Sequence, residues 1–417
     1  AFVKKGVRPD APDFLLRNAE VNARIKAAFE AEGADVWYVQ GFKERMLDGI
    51  VDPSDYEQVF DVLDVWFDSG STHAFVLRDR ADGSEDGLAD LYLEGTDQHR
   101  GWFHSSMLQA CGTKGRAPYR GVLTHGFTLD EKGMKMSKSL GNTINPLDLM
   151  RDNGADILRL WALTVDFTED HRIGKEILAG VSDQYRKLRN TFRYLLGALD
   201  GFTDAEKVAV ADMPELERYM LHLLADMDAK LKTAVNDFDF NTYVRLLTEF
   251  CNEDLSAFFF DIRKDCLYCD APTDPKRMAY RTVLDTLFHA LVRYAAPVLV
   301  FTSEEVWQTR FPDADSVHFS DWPEVDAGWI DTKLAENWGR IRAGRMMANE
   351  LIEPMRRNKE IGSSLEVEYS YGGNPGETDL AEIFIVAAVH HGRETSAVKT
   401  TNHKCGRCWR HLPEVVD

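Results

Sequence analysis

The sequence predicts an α/β domain, then an α-helical bundle, then a small α/β segment at the carboxyl end. Residues 1–175 mix short strand-like and helix-like runs, as an α/β domain does. From about Lys175 onward, apolar side chains recur every three or four residues, which is typical of amphipathic helices. Beyond about Arg357 the chain returns to strand-like runs with glycine-rich turns.

Local signals predict the elements of the α/β part. Asn145 followed by proline predicts a helix start, and Gly154 predicts its end. The glycine- and acid-rich stretch 79–90 predicts a loop. The other predicted elements are a strand from Phe2, a helix over 12–32, a short buried strand over 91–93, a helix over 98–110 and a strand over 121–128.

The helical part is predicted from its apolar periodicity. Thr302 and Glu305 fit a capping box ahead of a helix. Residues 258–260 are three consecutive phenylalanines, which we interpret as core rather than as a surface for stacking bases. The predicted helices cover 181–199, 215–234, 241–263, 277–300 and 334–357.

Length, charge and cysteine content limit the class of protein. A chain of 417 residues is too long for one core and predicts about two to four domains. The formal net charge of -20 weighs against a nucleic-acid partner, although local basic stripes can still hold one. No apolar run approaches the ~20 residues of a membrane span. Six cysteines are too few for a secreted disulfide scaffold, so we expect a reducing cytoplasm.

The strongest chemical signal is the sequence KMSKS at residues 135–139, followed by Leu-Gly-Asn. Lys135 and Lys138 flank small hydroxyl residues on a glycine-bounded loop, which can close over a polyphosphate and stabilise a departing pyrophosphate. An isolated Lys-x-x-Lys is usually only an exposed basic turn. The full pentapeptide favours the functional interpretation.

A second signal covers residues 91–103, where a strand, a glycine, an acid and a helix follow one another. That order is typical of the carboxyl edge of a doubly wound sheet, where nucleotides bind. Gly95 would let a ligand approach the backbone, and Asp97 could accept hydrogen bonds from a ribose. The alternative is that Asp97 only caps the helix and Trp102 only fills the core.

These two segments, with DVWFDSGS at 64–71 and THGF at 124–127, resemble the isoleucyl-tRNA synthetases, which are class I aminoacyl-tRNA synthetases. The resemblance runs along the whole chain and is densest in 64–165. It implies a Rossmann-type catalytic domain, an α-helical anticodon-binding domain and a C-terminal zinc-bearing segment. It also implies ATP- and Mg²⁺-dependent joining of isoleucine to tRNA(Ile) through isoleucyl-adenylate, by a monomer.

The same resemblance implies roles for single residues. Glu94 would contact the adenylate, and Lys138 would contact ATP. The other implied contacts are Gly95, Asp97 and Gln98 for the ribose and the substrate amine, Trp102 and Trp66 as walls of the isoleucine pocket, and His125 at the adenylate site.

The resemblance also predicts that half of the active site is elsewhere. Neither the His-x-Gly-His signature of class I enzymes nor a stretch long enough for an editing domain occurs in the sequence. Both are expected upstream of Ala1, so the isolated chain is predicted to be inactive. The implied division is 1–142 catalytic, 143–178 connecting, 179–325 anticodon-binding and 326–417 C-terminal junction.

A basic stripe and two cysteine pairs remain as further candidates. Cys405 and Cys408 resemble half of the family's zinc site, and a structural zinc needs four ligands. Cys266 and Cys269 have the right spacing to complete it, but the family has no ligands at that position, so we expect an incomplete site. The predicted tRNA-binding stripe, which could equally be a solvated helix face, consists of Arg186, Lys187, Arg189 and Arg193.

Two other functions stay open on the sequence alone. A valyl-tRNA synthetase relative would keep the ligase chemistry and change the amino acid. A non-catalytic tRNA-binding module would keep the helical domain and lose amino-acid activation.

Overall fold

A computed structural model describes residues 1–372, 378–392 and 394–415. The rest of the predicted C-terminal segment, at 373–377, 393 and 416–417, lies outside these described residues. The chain forms two compact units, Ala1–Thr124 and His125–Asp417. The four-segment division made from the sequence stays a prediction.

The first unit combines two small sheets with short helices. Strands β1 (Phe2–Lys4) and β2 (Tyr56–Gln58) pair antiparallel, with Phe2 opposite Gln58. Strands β3 (Ala89–Gly95) and β4 (Tyr119–His125) form a second two-stranded sheet. The elements in order are β1 (Phe2–Lys4), α1 (Ala19–Glu32), α2 (Phe42–Leu47), β2 (Tyr56–Gln58), α3 (Val65–Gly70), β3 (Ala89–Gly95), α4 (Trp102–Lys114) and β4 (Tyr119–His125).

The predicted helix over 12–32 is wrong in its first third. The helix begins at Ala19, because the Asn18 side chain accepts the N–H groups of Glu20 and Val21. Ahead of it the backbone pairs with β1 instead, since the N–H of Leu16 donates to the carbonyl of Phe2 at 3.0 Å. The helix expected over 98–110 likewise starts four residues later, after a 3₁₀ turn at Thr96–Arg100.

The second unit begins with a two-stranded parallel sheet and continues as a helical bundle. The bundle is the largest core of the chain, and Leu284, Leu287 and Phe288 are fully buried in it. Its elements are β5 (Thr128–Leu129), α5 (Pro146–Asn153), α6 (Ala155–Thr164), β6 (His171–Arg172), α7 (Lys175–Ala198), α8 (Glu215–Asn236), α9 (Phe240–Glu249), α10 (Phe260–Cys269), α11 (Pro275–Ala295), α12 (Val300–Arg310) and α13 (Thr332–Arg357).

A π-helical stretch, Phe250–Phe259, joins α9 to α10. Phe258, Phe259 and Phe260 are all buried there, which confirms their interpretation as core. The predicted capping box at Thr302–Glu305 is wrong, because α12 already begins at Val300. The Asp156 side chain of α6 accepts the N–H groups of Phe301 and Thr302 and the Thr302 hydroxyl instead.

The C-terminal segment packs a small mixed sheet against the bundle. Strand β7 (Val367–Tyr371) lies between β8 (Ala388–His391), parallel to it, and β9 (Ser396–Lys399), antiparallel to it. The buried Arg263 of α10 donates to Glu217 of α8 and to Glu382 of α14 (Leu380–Phe384), so charged groups link this segment to the bundle. The elements are β7 (Val367–Tyr371), α14 (Leu380–Phe384), β8 (Ala388–His391), β9 (Ser396–Lys399), β10 (His403–Lys404) and β11 (His411–Leu412).

No helix in the described part of the chain is both long enough and apolar enough to cross a membrane.

Candidate adenylate and tRNA sites

In the first unit, the structure brings Trp66, Gln98 and Trp102 together. The indole N–H of Trp102 donates to the carbonyl of Ser69 at 3.0 Å, which fixes α4 against α3. A Cβ at Gly101 would lie 3.1 Å from the Trp66 ring and 2.6 Å from Gln98 Oε1. Only glycine therefore lets these two side chains approach the start of α4 so closely.

Trp102 is held in place by a second aromatic residue, which the sequence motifs did not indicate as part of the site. Its ring stacks on Tyr92 of β3, with centroids 4.2 Å apart and planes 3° from parallel. Tyr92 is buried, and burial raises the pKa of its hydroxyl above the ordinary value. The alternation of strand side chains indicates that Tyr92 lies on the face opposite Leu91 and Leu93, but it does not indicate which ring Tyr92 contacts.

Some polar groups of this site already make hydrogen bonds within the protein. Gln98 Oε1 accepts the backbone N–H of Trp102 at 3.0 Å, so Gln98 caps α4. The alternative role of Asp97 as that cap is therefore wrong. Asp97 is exposed and accepts a long hydrogen bond of 3.4 Å from Gln98. Glu94 Oε1 accepts the N–H of Gly95 at 3.1 Å.

In the second unit, Lys135 and Lys138 lie on a loop that Asp130 and Asn142 hold in shape. Asn142 donates to Asp130 Oδ2 at 2.9 Å and accepts the N–H of Ser137 at 2.9 Å. The hydrogen bond from the Asn142 side chain above all, and then the one from the backbone N–H of Met134, lower the pKa of Asp130 and keep it ionised. We call Asp130 and Asn142 the loop clamp.

The two lysines of this loop are placed differently. Lys135 Nζ lies over the Phe127 ring, 4.7 Å from its centroid, so a cation–π contact holds it. Lys138 is exposed between Gly133 and Gly141, both of which have positive φ. Nothing in the described fold buries its ammonium group, so it can reach an anionic ligand. His125, another predicted site residue, ends β4 and contacts the carbonyl of Gly126 at 2.8 Å.

The predicted basic stripe is exposed on α7. Arg186, Arg189 and Arg193 are spaced by three and four residues and share one face, whereas Lys187 lies on the next face. Arg186 pairs with Asp183 at 2.9 Å. The stripe thus keeps most of its positive charge available to an external anion.

The cysteine pair Cys405 and Cys408 forms a knuckle-like turn. The backbone N–H groups of Cys408 and Arg407 lower the pKa of the Cys405 thiol. Arg407 also donates to the carbonyl of Cys269, so the turn lies against the end of α10. In the described ranges no group of three or more His, Cys, Asp or Glu side chains is arranged to hold a metal ion. Two thiols do not make a complete zinc site, and a zinc knuckle stays a prediction.

Two segments of the chain match known protein families. Residues 10–174 match the family of class I tRNA synthetases for I, L, M and V, and residues 217–371 match the anticodon-binding domain of tRNA ligases. The chain belongs to the class I tRNA synthetases. The predicted order, a catalytic domain followed by a mostly helical anticodon-binding domain, is confirmed.

The predicted resemblance to the isoleucine enzymes is also confirmed. The chain is 57% identical to the isoleucine–tRNA ligase of Zymomonas mobilis and 52% identical to that of Ruegeria pomeroyi, over 99% of its own length in both cases. It spans about 45% of the length of each relative.

A solved structure shares the class I synthetase fold at low sequence identity. The LeuRS of Agrobacterium radiobacter K84 agnB2, in a ternary complex with tRNA and LeuAMS, matches with a TM-score of 0.53 and 19% identity. The match covers 69% of this chain and 36% of that one.

Proposed function

We propose that this chain is part of an enzyme that joins isoleucine to tRNA(Ile) through isoleucyl-adenylate. The observation that carries the proposal is the 57% identity to an isoleucine–tRNA ligase over nearly the whole chain. The geometry adds two features that support it: the Trp66 and Trp102 rings beside Gly101 at the start of α4, and an exposed lysine on a clamped loop. We further propose that the enzyme works in the cytoplasm as a monomer.

In this proposal, Trp102 and Trp66 bind the apolar side chain of isoleucine, and Gln98 orients its amine. Asp97 accepts hydrogen bonds from the ribose of ATP, because its exposed carboxylate follows directly on β3. Gly95, buried at the end of β3, keeps the backbone open to the adenylate, with Glu94 and His125 beside that ligand.

Lys138 acts on the phosphates. Negative charge builds on the β-phosphate as pyrophosphate departs, so an ammonium group there stabilises the transition state more than bound ATP. Lys135 assists from its position over Phe127. Mg²⁺, when bound, would neutralise phosphate charge. The described residues offer no ligand group of three or more for the ion, so no step is assigned to it.

The first test uses the full-length enzyme that contains this chain. Lys138→Ala should lower ATP–pyrophosphate exchange by roughly 10²–10³ while isoleucine affinity changes little, since a charge felt mainly in the transition state is removed. Lys132→Ala is the matched control, because Lys132 is exposed in the same loop outside KMSKS. Equal exchange rates for Lys138→Ala and the parent would contradict the proposed role.

Substrate choice and the rival functions need their own measurements. Exchange with isoleucine that exceeds exchange with valine supports the proposal, and the reverse order supports the valyl alternative. Absence of exchange with either amino acid in the full-length enzyme supports a non-catalytic tRNA-binding module. The isolated chain should show no exchange.

The second test concerns the stripe on α7, which we propose contacts tRNA phosphates. Arg186→Ala with Arg189→Ala should weaken tRNA binding for all tRNAs alike and reduce the slope of log affinity against log salt by about 1–2. Lys230→Ala with Arg245→Ala removes the same charge from other exposed helix faces and is the matched control. If both double variants behave alike, the stripe is only a solvated face.

A further inference from the structure

An apolar groove lies within the second unit, where α6 meets the bundle. Its volume is about 600 Å³, within the usual range for small-molecule sites. Helix α6 contributes Ala162 and Leu163, and α9 contributes Phe240 and Tyr243. The groove therefore joins a helix of the segment that matches class I synthetases to a helix of the segment that matches the anticodon-binding domain.

The walls of this groove present carbon atoms and ring faces. The Tyr243 hydroxyl already donates to the carbonyl of Tyr294 at 2.7 Å. The Trp322 indole N–H already donates to Asp228 at 2.8 Å. Because both polar atoms are satisfied inside the protein, an occupant of the groove meets the rings of Tyr243, Trp322 and Phe240 and gains mainly from burying apolar surface.

Among the residues that line this groove, the charged one is Arg159, through its guanidinium group. Its Nε donates to the carbonyl of Val298 at 3.2 Å and its Nη2 donates to that of Pro297 at 2.8 Å. Within the described ranges no carboxylate pairs with Arg159, and its Nη1 has no acceptor. The bonds to two carbonyls hold the guanidinium in place at the groove, and because Arg159 is exposed its remaining N–H groups can donate to an anion.

We propose that this groove binds a small amphiphilic carboxylate, with the apolar body against Phe240 and Trp322 and the carboxylate on Arg159. The uncompensated positive charge selects an anion, and the saturated hydrogen bonds of the walls reject a polar body. Binding would stabilise the packing of α6 on the bundle, because both supply the walls. The proposal stands apart from the ligase reaction, since none of these residues belongs to the proposed adenylate site.

Decanoate is the probe, titrated into the 417-residue chain by calorimetry, with decanol as the uncharged counterpart. We expect saturable binding of one decanoate, tighter than that of decanol. Arg159→Met should weaken decanoate about tenfold or more, because a charge-assisted hydrogen bond is lost, and should leave decanol nearly unchanged. Equal affinities of decanoate and decanol would overturn the role of Arg159.

A second variant separates the groove from other apolar surfaces. Ala162 is exposed on α6, so Ala162→Phe can fill the groove without entering the core. It should abolish binding of both probes. Ala343→Phe, at an exposed alanine of α13, is the matched control and should bind as the parent does. Decanoate binding that survives Ala162→Phe, or that Ala343→Phe removes equally, would overturn the site.

Discussion

The two compact units bury apolar side chains in different ways. In the second unit, helices surround one core in which residues such as Leu287 are completely shielded from water. In the first unit, strand β3 leaves Leu93 54% exposed and Leu91 37% exposed. The segment 60–67 adds further exposed apolar and aromatic side chains. A helical bundle can close its own core, whereas a sheet needs a packed layer on each face.

This difference shows that an apolar sequence pattern predicts burial only where other segments cover the apolar face. The prediction of a buried strand over 91–93 was correct about the strand and wrong about its burial, except at Tyr92. Apolar residues in β3 indicate faces suited to burial. Whether other segments cover those faces is decided by the protein as a whole.

The largest expected effect contrasts one leucine from each unit. Leu287→Ala should lower the free energy of unfolding by about 2–5 kcal/mol, because it leaves a cavity in a closed core. Leu93→Ala should change it by less than about 0.5 kcal/mol, because that side chain is largely exposed. Urea unfolding followed by the helical circular dichroism signal measures both. Similar losses for the two variants would contradict the comparison.

An intermediate effect is expected where the C-terminal segment meets the bundle. Burial alone would raise the pKa of Glu382, but Arg263 and Lys276 outweigh it and hold the pKa below its usual value of 4.5. Glu382→Gln should therefore cost about 1–3 kcal/mol at neutral pH. This stabilisation is complete above the unfolded-state pKa and is lost as the pH falls through the folded-state pKa.

The free energy of unfolding of the parent and of Glu382→Gln, measured at several pH values, gives the stabilisation by Glu382 as the gap between the two. The gap between them should be constant down to about pH 5 and shrink below 4.5. Glu353→Gln, at an exposed ion pair with Arg356, is the control and should show almost no gap. A gap that widens in acid would refute the assignment of charge to Glu382.

The smallest expected effect is local to the loop clamp. Asn142→Ala removes the acceptor of the Ser137 N–H, which is worth about 1 kcal/mol, so that amide should exchange with solvent about five times faster. Asn153→Ala, which removes only a single 3.3 Å side-chain bond on α5, is the control. Hydrogen exchange measured by NMR or mass spectrometry compares the two. Unchanged exchange at Ser137 would mean that other contacts shape the loop.

Sequence predictions succeeded where the deciding contact is local. Asn145 caps α5 through its own side chain, two residues from the N–H that it accepts, and Gly154 ends the helix as expected. They failed where the deciding contact is remote. Residues before Asn18 pair with β1, which no helical period reveals.

The candidate site shows the same limit. The motifs placed Trp66, Gln98 and Trp102 in one site, and the structure brings these three together. The stacking of Tyr92 on Trp102 was missed, because nothing in the spacing of a strand and the helix after it specifies which rings will meet. The loop clamp was only half recognised, since Asn142 was part of the motif and its bond to Asp130 was not foreseen.

The capping of α12 by Asp156 has a consequence for the order of events during synthesis. The carboxylate is synthesised about 145 residues before the N–H groups of Phe301 and Thr302 that donate to it. At elongation rates of about 5–20 residues per second, that interval is roughly 7–30 seconds. Until then the carboxylate lacks these donors, and it acquires them only when the first turn of α12 has been made. The N-terminal end of α12 is thus completed by a residue made long before it.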